Sequence, residues 1–168
     1  SENLSGRSPK KSFGPNECIG PLAVKLEEKS AQQIIHEFGL KSLEGEGGYF
    51  SVIQFDPAGN SIYFLLPEGD FSAWHRLNER ETWVLLAGDP IDLHLYSNSY
   101  SKHTLDRSGV GMTHTVAPGE WMAAQTTGRW SLILCYLAPA FSGMELASSE
   151  QVRSWISMHP EVPELVHE

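Results

Sequence analysis

Hydrophobic positions along this chain fall into two textures. Between residues 30 and 39 they recur at helical spacing: in KSAQQIIHEFGL, residues Ala31, Ile34, Ile35 and Phe38 form one stripe. Ser30 stands where a helix cap accepts the first free N–H groups, and Gly39 where a left-handed C-terminal residue belongs. His36 falls off the stripe and is expected at the surface. From Gly47 to Ala138 the pattern shortens to runs rich in aromatic and β-branched residues: GGYFSVIQF, SIYFLL, SAWHRL, ETWVLL, IDLHLY, MTHTV, EWMAAQ and RWSLILCYL. They are separated by DPAGN, PEGD, LNER, AGDP, SNSYSKHTLDRSGVG, APG and TTG, all turn-like breaks. Many short strands at close spacing, with no strand–helix alternation, predict an all-β sandwich or barrel. After Pro139 the segment SSEQVRSWISM places Val152, Trp155 and Ile156 on one face and predicts a second short helix.

The length of 168 residues suits one domain with one core. Residues 1–20, rich in Ser, Gly, Pro and Lys, read as a flexible arm, leaving 21–168 as the single domain. A formal charge of −9 argues against binding a nucleic-acid polymer. No apolar run approaches the roughly 18 residues of a membrane span, and the N-terminal stretch lacks the apolar segment of a signal peptide. A cytoplasmic location is the expectation that remains. The two cysteines are too few for a disulfide framework, and Cys135, within an apolar run, is expected to be a core thiol.

The chemistry concentrates in GDFSAWHRLNERETWVLLAG. Gly69, His75, Glu81 and Gly88 keep the spacing of the first cupin motif, in which two histidines one residue apart and a glutamate bind a metal; here Leu77 replaces the second histidine. GMTHTVAPGEWMAAQ resembles the second motif in outline, with Gly111, Ala117 and Gly119 in place, the proline shifted to Pro118, and Met122 where a histidine is expected. The closer resemblance is to a single-domain cupin family of unassigned function. It rests on Glu46-Gly47-Gly48-Tyr49, on Ser72-Ala73-Trp74-His75-Arg76-Leu77, on Glu81-Thr82-Trp83 and on Gly88-Asp89-Pro90. Trp121 after Gly119 and Pro139-Ala140-Phe141 agree as well. The resemblance spans about residues 30–146 and implies a cupin double-stranded β-helix, or jelly-roll barrel, with one or two short flanking helices. Gly45, where the family often has histidine, and Ala140, where glycine is usual, depart from its pattern.

A cupin metal generally takes three histidines and one carboxylate, because imidazole suits first-row divalent ions and the carboxylate supplies charge. With Leu77 and Met122 at two of those positions, no metal and no cofactor are expected, although His94 or His114 on neighbouring strands remain possible ligands. His75 and Glu81 then become an acid–base pair, a pair of hydrogen-bonding anchors, or a satisfied structural pair. Strand alternation puts Trp83 on the face of Glu81, where its indole offers a platform for a flat ring. Tyr49, after two glycines, is expected at the barrel mouth, and Tyr63, Trp74, Trp121 and Trp130 on the barrel strands or their edges, with most aromatics in the core. Arg76 should point away from His75, and Arg80 and Arg129 into solvent.

The expected ligand-binding set is Tyr49, Tyr63, His75, Glu81, Trp83, His94, His114 and Trp121. Three functions stay open. The first is a metal-free binder of a nucleotide or nucleotide-sugar; the second is a sugar-nucleotide epimerase or isomerase, as similar cupins imply. There His75 would be the base, Glu81 its orienting partner, and Tyr63 or Tyr49 the acid. The third is a metal-dependent cupin enzyme. A module using the barrel only as a scaffold is the fourth possibility, since fold alone selects none of them. The apolar helix and an open sheet edge also suggest a homodimer.

Overall fold

The computed structural model describes residues 26–168; the expected arm at 1–20, with Cys18, lies outside them. Helix α1 (Ala31–Glu37) begins at Ser30, whose hydroxyl accepts the Gln33 N–H while the Gln33 side chain accepts the Ser30 N–H. This reciprocal cap contributes about 1 kcal/mol. Phe38 closes the helix and Gly39 takes φ +60°, as the left-handed terminus requires. His36 is exposed, on the polar side of the helix.

Eleven strands follow. They are β1 (Lys41–Ser42), β2 (Tyr49–Asp56), β3 (Gly59–Pro67), β4 (Ser72–Leu77), β5 (Arg80–Gly88) and β6 (Ile91–Tyr96). The second half holds β7 (Tyr100–Leu105), β8 (Thr113–Val116), β9 (Trp121–Thr126), β10 (Trp130–Ala138) and β11 (Met144–Leu146). Helix α2 (Ser149–Met158) ends the regular structure, capped at Ser148 by the same reciprocal arrangement with Gln151. One antiparallel sheet has the order β1-β2-β3-β10-β5-β8, the other β11-β4-β9-β6-β7. These two facing sheets are the walls of a double-stranded β-helix.

Three apolar clusters account for the packing. Phe64, Leu66, Trp83, Leu85, Leu93, Leu95, Met122 and Ile133 meet between the sheets. The outer face of the six-stranded sheet carries Leu65, Ala87, Trp130 and Leu132, closed over by α1 through Ile34. Burying Ile34 completely stabilises this seam by roughly 1.5–3 kcal/mol. The outer face of the other sheet carries Trp74, Tyr96 and Trp121, covered by Val152 and Trp155 of α2 and by the chain beyond it. Trp74 anchors that cover: its indole N–H donates to the Pro163 carbonyl and its main-chain N–H to that of Leu165.

The eight apolar runs all become strands. The long break SNSYSKHTLDRSGVG, however, contains β7. Its residues 101–104 are exposed, and it pairs only with β6 at the sheet edge, so it needs no apolar alternation and shows none. The short β1 and β11 were likewise invisible as patterns because neither presents two buried residues.

Candidate functional site

Strand alternation on β5 aims Glu81, Trp83 and Leu85 between the sheets. A register shift against β10 then leaves Leu86 without a partner, and Ala87 turns to the outer cluster beneath α1. On β4, His75 and Leu77 face inward while Trp74 and Arg76 face out. Between the sheets these residues bound a cavity of about 260 Å³. Apart from Asn60 its remaining walls are apolar, with Phe50, Ile62 and Phe64 from β2 and β3, Cys135 and Leu137 from β10, and Phe141 and Met144 near the end of the barrel. Glu46, His75 and Glu81 are the ionisable side chains in this lining apart from Cys135.

Glu46 reaches the cavity from the turn joining β1 to β2. The Leu43 N–H donates to the Gly48 carbonyl and the Gly47 N–H to the Leu43 carbonyl, closing the turn. Ala73 on β4 donates its N–H to the Glu46 carbonyl, fastening the turn to the opposite sheet. Gly47 and Gly48 hold φ +99° and +73°. A Cβ on Gly47 would lie 2.2 Å from the Phe71 carbonyl oxygen, and one on Gly48 2.7 Å from the Phe64 ring. Only glycines place Glu46 here.

The Glu46 carboxylate accepts the Ser72 hydroxyl at 2.7 Å, and the same oxygen stands 3.4 Å from His75 Nε2. His75 Nδ1 lies 2.7 Å from the Ala73 carbonyl. Since a carbonyl only accepts, Nδ1 carries a proton and Nε2 is the nitrogen turned toward Glu46. Glu81 is different: burial, then the negative charge of Glu46, pushes its carboxyl up to about 8, against the pull of the Trp83 indole N–H. That indole nitrogen is buried and meets no acceptor in hydrogen-bond geometry. Glu81 is therefore a largely protonated acid at neutral pH. Burial and the same two carboxylates hold the Cys135 thiol well above its ordinary range.

Of the expected ligand-binding set, the structure brings together His75, Glu81 and Trp83. Tyr49 and Tyr63 pack on the outer face of the six-stranded sheet, where Tyr63 meets Phe38 edge-on at 4.9 Å. Neither phenol lines the cavity, which removes both as partners for His75. Trp121 lies on the outer face of the other sheet beneath the Arg76 guanidinium, 4.5 Å from its ring centre. His94 shares that outer face: its Nδ1 contacts the Tyr100 hydroxyl at 2.8 Å, its Nε2 is buried without a partner, and burial lowers its pKa to about 4. His114 stacks on His103 at 4.0 Å between ring centres, on edge strands β8 and β7. Trp74 and Trp130 are outer-face core residues. Alternation alone did not place Tyr49, Tyr63 and Trp121 because both sheets are covered on both sides, so apolar residues alternate with apolar residues.

Glu46 went unassigned at sequence level. It stands about 30 residues before His75, in a turn, and only the paired glycines after it marked a constrained backbone.

The residues do not fit a cupin metal. Leu77 lines the cavity with a hydrocarbon side chain, and Met122, opposite His75 in the β4–β9 register, is buried in the inter-sheet core. Among the described residues, no three His, Cys, Asp or Glu side chains are placed to hold one ion. His94 and His114 do not line the cavity and complete no shell there. Among the same residues no helix is long and apolar enough to cross a membrane.

Comparison with known proteins agrees with this architecture. Residues 32–147 match a family model described as Cupin superfamily (DUF985). Among solved structures, a protein from Shewanella oneidensis is 26% identical over 83% of this chain and 98% of its own, with a TM-score of 0.74. A hypothetical protein from Leishmania major is 23% identical over 83% of this chain and 100% of its own, also at 0.74. A cupin 2 conserved barrel domain protein from Rhodopseudomonas palustris is 14% identical over 75% of this chain and 83% of its own, at 0.57. No curated protein matches. With a matched segment that takes in both sheets and the cavity between them, the chain belongs to the cupin superfamily, in the family so described.

Proposed function

We propose that this cupin binds a small organic molecule between its sheets without a metal, and that Glu46, His75 and Glu81 hydrogen-bond it and exchange protons with it. The observation that carries this reading is the convergence of three ionisable side chains on one mostly apolar cavity between the sheets. Ionisable groups are costly in such surroundings, and clefts that hold them are commonly functional. The Trp83 indole beside Glu81 supplies a flat apolar wall. A nucleotide or nucleotide-sugar fits only in part. Its base or sugar can enter, but among the described residues no Lys or Arg lines the cavity to meet phosphate, so any phosphate would remain outside the mouth.

A second reading, proton transfer as in an epimerase or isomerase, is favoured by the unusual state of Glu81. A carboxyl held to about 8 is a competent proton donor near neutral pH. In that reading His75 Nε2 takes a proton from a carbon next to a carbonyl. The C–H electrons form the enol, and Glu81 delivers a proton at the acceptor atom, in the place a tyrosine was expected to fill.

The test is a thermal-shift screen of chelator-treated protein against nucleotides, nucleotide-sugars, free sugars and small ring compounds, with and without divalent ions. A ligand that binds the native state alone raises the melting temperature by mass action. A shift without metal, lost in both His75→Ala and Glu81→Gln, supports the reading. A shift only with metal, or one that survives both substitutions, overturns it.

A further inference from the structure

Resting on the reading of the cavity as a ligand site, we propose that it selects small organic cations of the alkylammonium type, with the Glu81 carboxylate as their counter-ion. Among the described residues the lining has carboxylates and no cationic side chain except what a protonated His75 would add. His75 already faces Glu46 at 3.4 Å. Glu81, only 6% exposed, faces the cavity beside the Trp83 indole, whose buried N–H has no acceptor in hydrogen-bond geometry among the described residues. A buried acid and an unsatisfied buried donor, both on the cavity wall, mark an incomplete arrangement.

The charge of the missing component follows from what each kind of ligand would do. An anion would enter a low-dielectric space beside Glu46 and Glu81 with no cation to receive it. A neutral molecule with an oxygen could accept the Trp83 N–H but would leave Glu81 protonated and its charge unused. A cation lets Glu81 ionise, and the carboxylate is a stronger acceptor for the Trp83 N–H beside it. The walls favour the same choice: Phe50, Phe64, Trp83 and Phe141 surround the space, and aromatic faces attract ammonium groups. Trp83 and Phe64 stand edge to face at 5.9 Å and 87°, which keeps their ring planes at a fixed angle.

Protons follow. Glu81 holds one below about pH 8, so cation binding there releases a proton, and affinity rises with pH up to that value. The titratable groups facing Glu81 are Glu46 from the β1–β2 turn, His75 on β4 and Cys135 on β10. The thiol stays protonated over this range.

The test is isothermal titration calorimetry with choline and its uncharged isostere 3,3-dimethylbutan-1-ol, on chelator-treated protein at pH 6.5 and 8.5, in buffers of differing ionisation enthalpy. Choline should bind at least tenfold tighter than the alcohol at pH 8.5, weaken roughly 25-fold at pH 6.5, and release close to one proton there. Glu81→Gln should abolish both the preference and the proton release. Equal or tighter binding of the alcohol overturns the cation proposal and leaves the ligand site standing. Choline binding that is independent of pH in the wild type overturns Glu81 as counter-ion whether or not the variant folds. Failure of both probes to bind overturns the cation proposal, while the broader thermal-shift screen decides the site itself.

Discussion

His75 Nε2 stands 3.4 Å from Glu46 Oε1 while its Nδ1 lies 2.7 Å from the Ala73 carbonyl. The ring is thus held at both nitrogens, by a main-chain group of its own strand and by a side chain from the opposite sheet. The imidazole should carry its proton on Nδ1 whenever it is neutral. Two-bond nitrogen–proton correlation spectra report this directly, and a neutral ring protonated on Nε2 would refute the orientation. Replacing Glu46 by Ala strips the Ser72 hydroxyl of its acceptor and removes the carboxylate beside His75 Nε2. It should cost about 1–3 kcal/mol in urea unfolding, the usual penalty for stranding buried polar groups.

Glu81 makes the fold sensitive to alkali. Its carboxyl titrates near 4.5 in the unfolded chain and at about 8 in the barrel, so the unfolded state gives up its proton first. Between those values stability falls as pH rises, and above about 8 the full penalty of several kcal/mol is present. Glu81→Gln resembles the protonated acid and removes the penalty. Its melting temperature at pH 9 should exceed that of the wild type by on the order of 10 °C, with little difference at pH 5. Equal melting temperatures at pH 9 would show that Glu81 ionises freely in the barrel.

How much of this was legible beforehand depends on what each residue had to reveal. Ser30, Gly39 and the stripe from Ala31 to Phe38 define α1 through local forces alone, and the structure follows them. Glu81 and Trp83 share a wall because they are two residues apart on one strand, an inference that needs no partner. Tyr63 could not be placed that way. It lies between Ile62 and Phe64, and which of the three faces the cavity is decided by α1 covering the other side of β3. Glu46 was harder still, because its approach to His75 depends on a turn crossing from one sheet to the other.

His94 makes the fold sensitive to acid. Burial lowers its pKa to about 4, outweighing the opposing pull of Asp92, while Lys102 adds to the lowering. In the unfolded chain it would titrate near 6.5, so below that value the unfolded state binds a proton that the folded state refuses. Stability therefore falls as pH drops from about 6.5 toward 4. His94→Asn keeps a polar atom near the Tyr100 hydroxyl and lacks a titrating ring. The acid slope of unfolding free energy should flatten by close to one proton, and an unchanged slope would place the acid sensitivity elsewhere.

The paired glycines before Tyr49 connect the site to folding. Gly47 sits at φ +99°, and an added Cβ would fall 2.2 Å from the Phe71 carbonyl oxygen, with His167 Nε2 at 2.4 Å and Asp70 Oδ1 at 3.2 Å. His167 and Asp70 can move aside, being side chains, but the Phe71 carbonyl belongs to the backbone leading into β4. Gly47→Ala must therefore shift the turn that carries Glu46 or strain the start of the strand that carries His75. Either result costs at least about 2 kcal/mol. The two are distinguishable. If the turn yields, Glu46 withdraws and the nitrogen shift of His75 Nε2 should move toward that of Glu46→Ala. If the strand yields, the Ala73 N–H loses its bond to the Glu46 carbonyl and exchanges with deuterium faster. A variant as stable as the wild type, with neither change, would show that this glycine is not what holds Glu46 against His75.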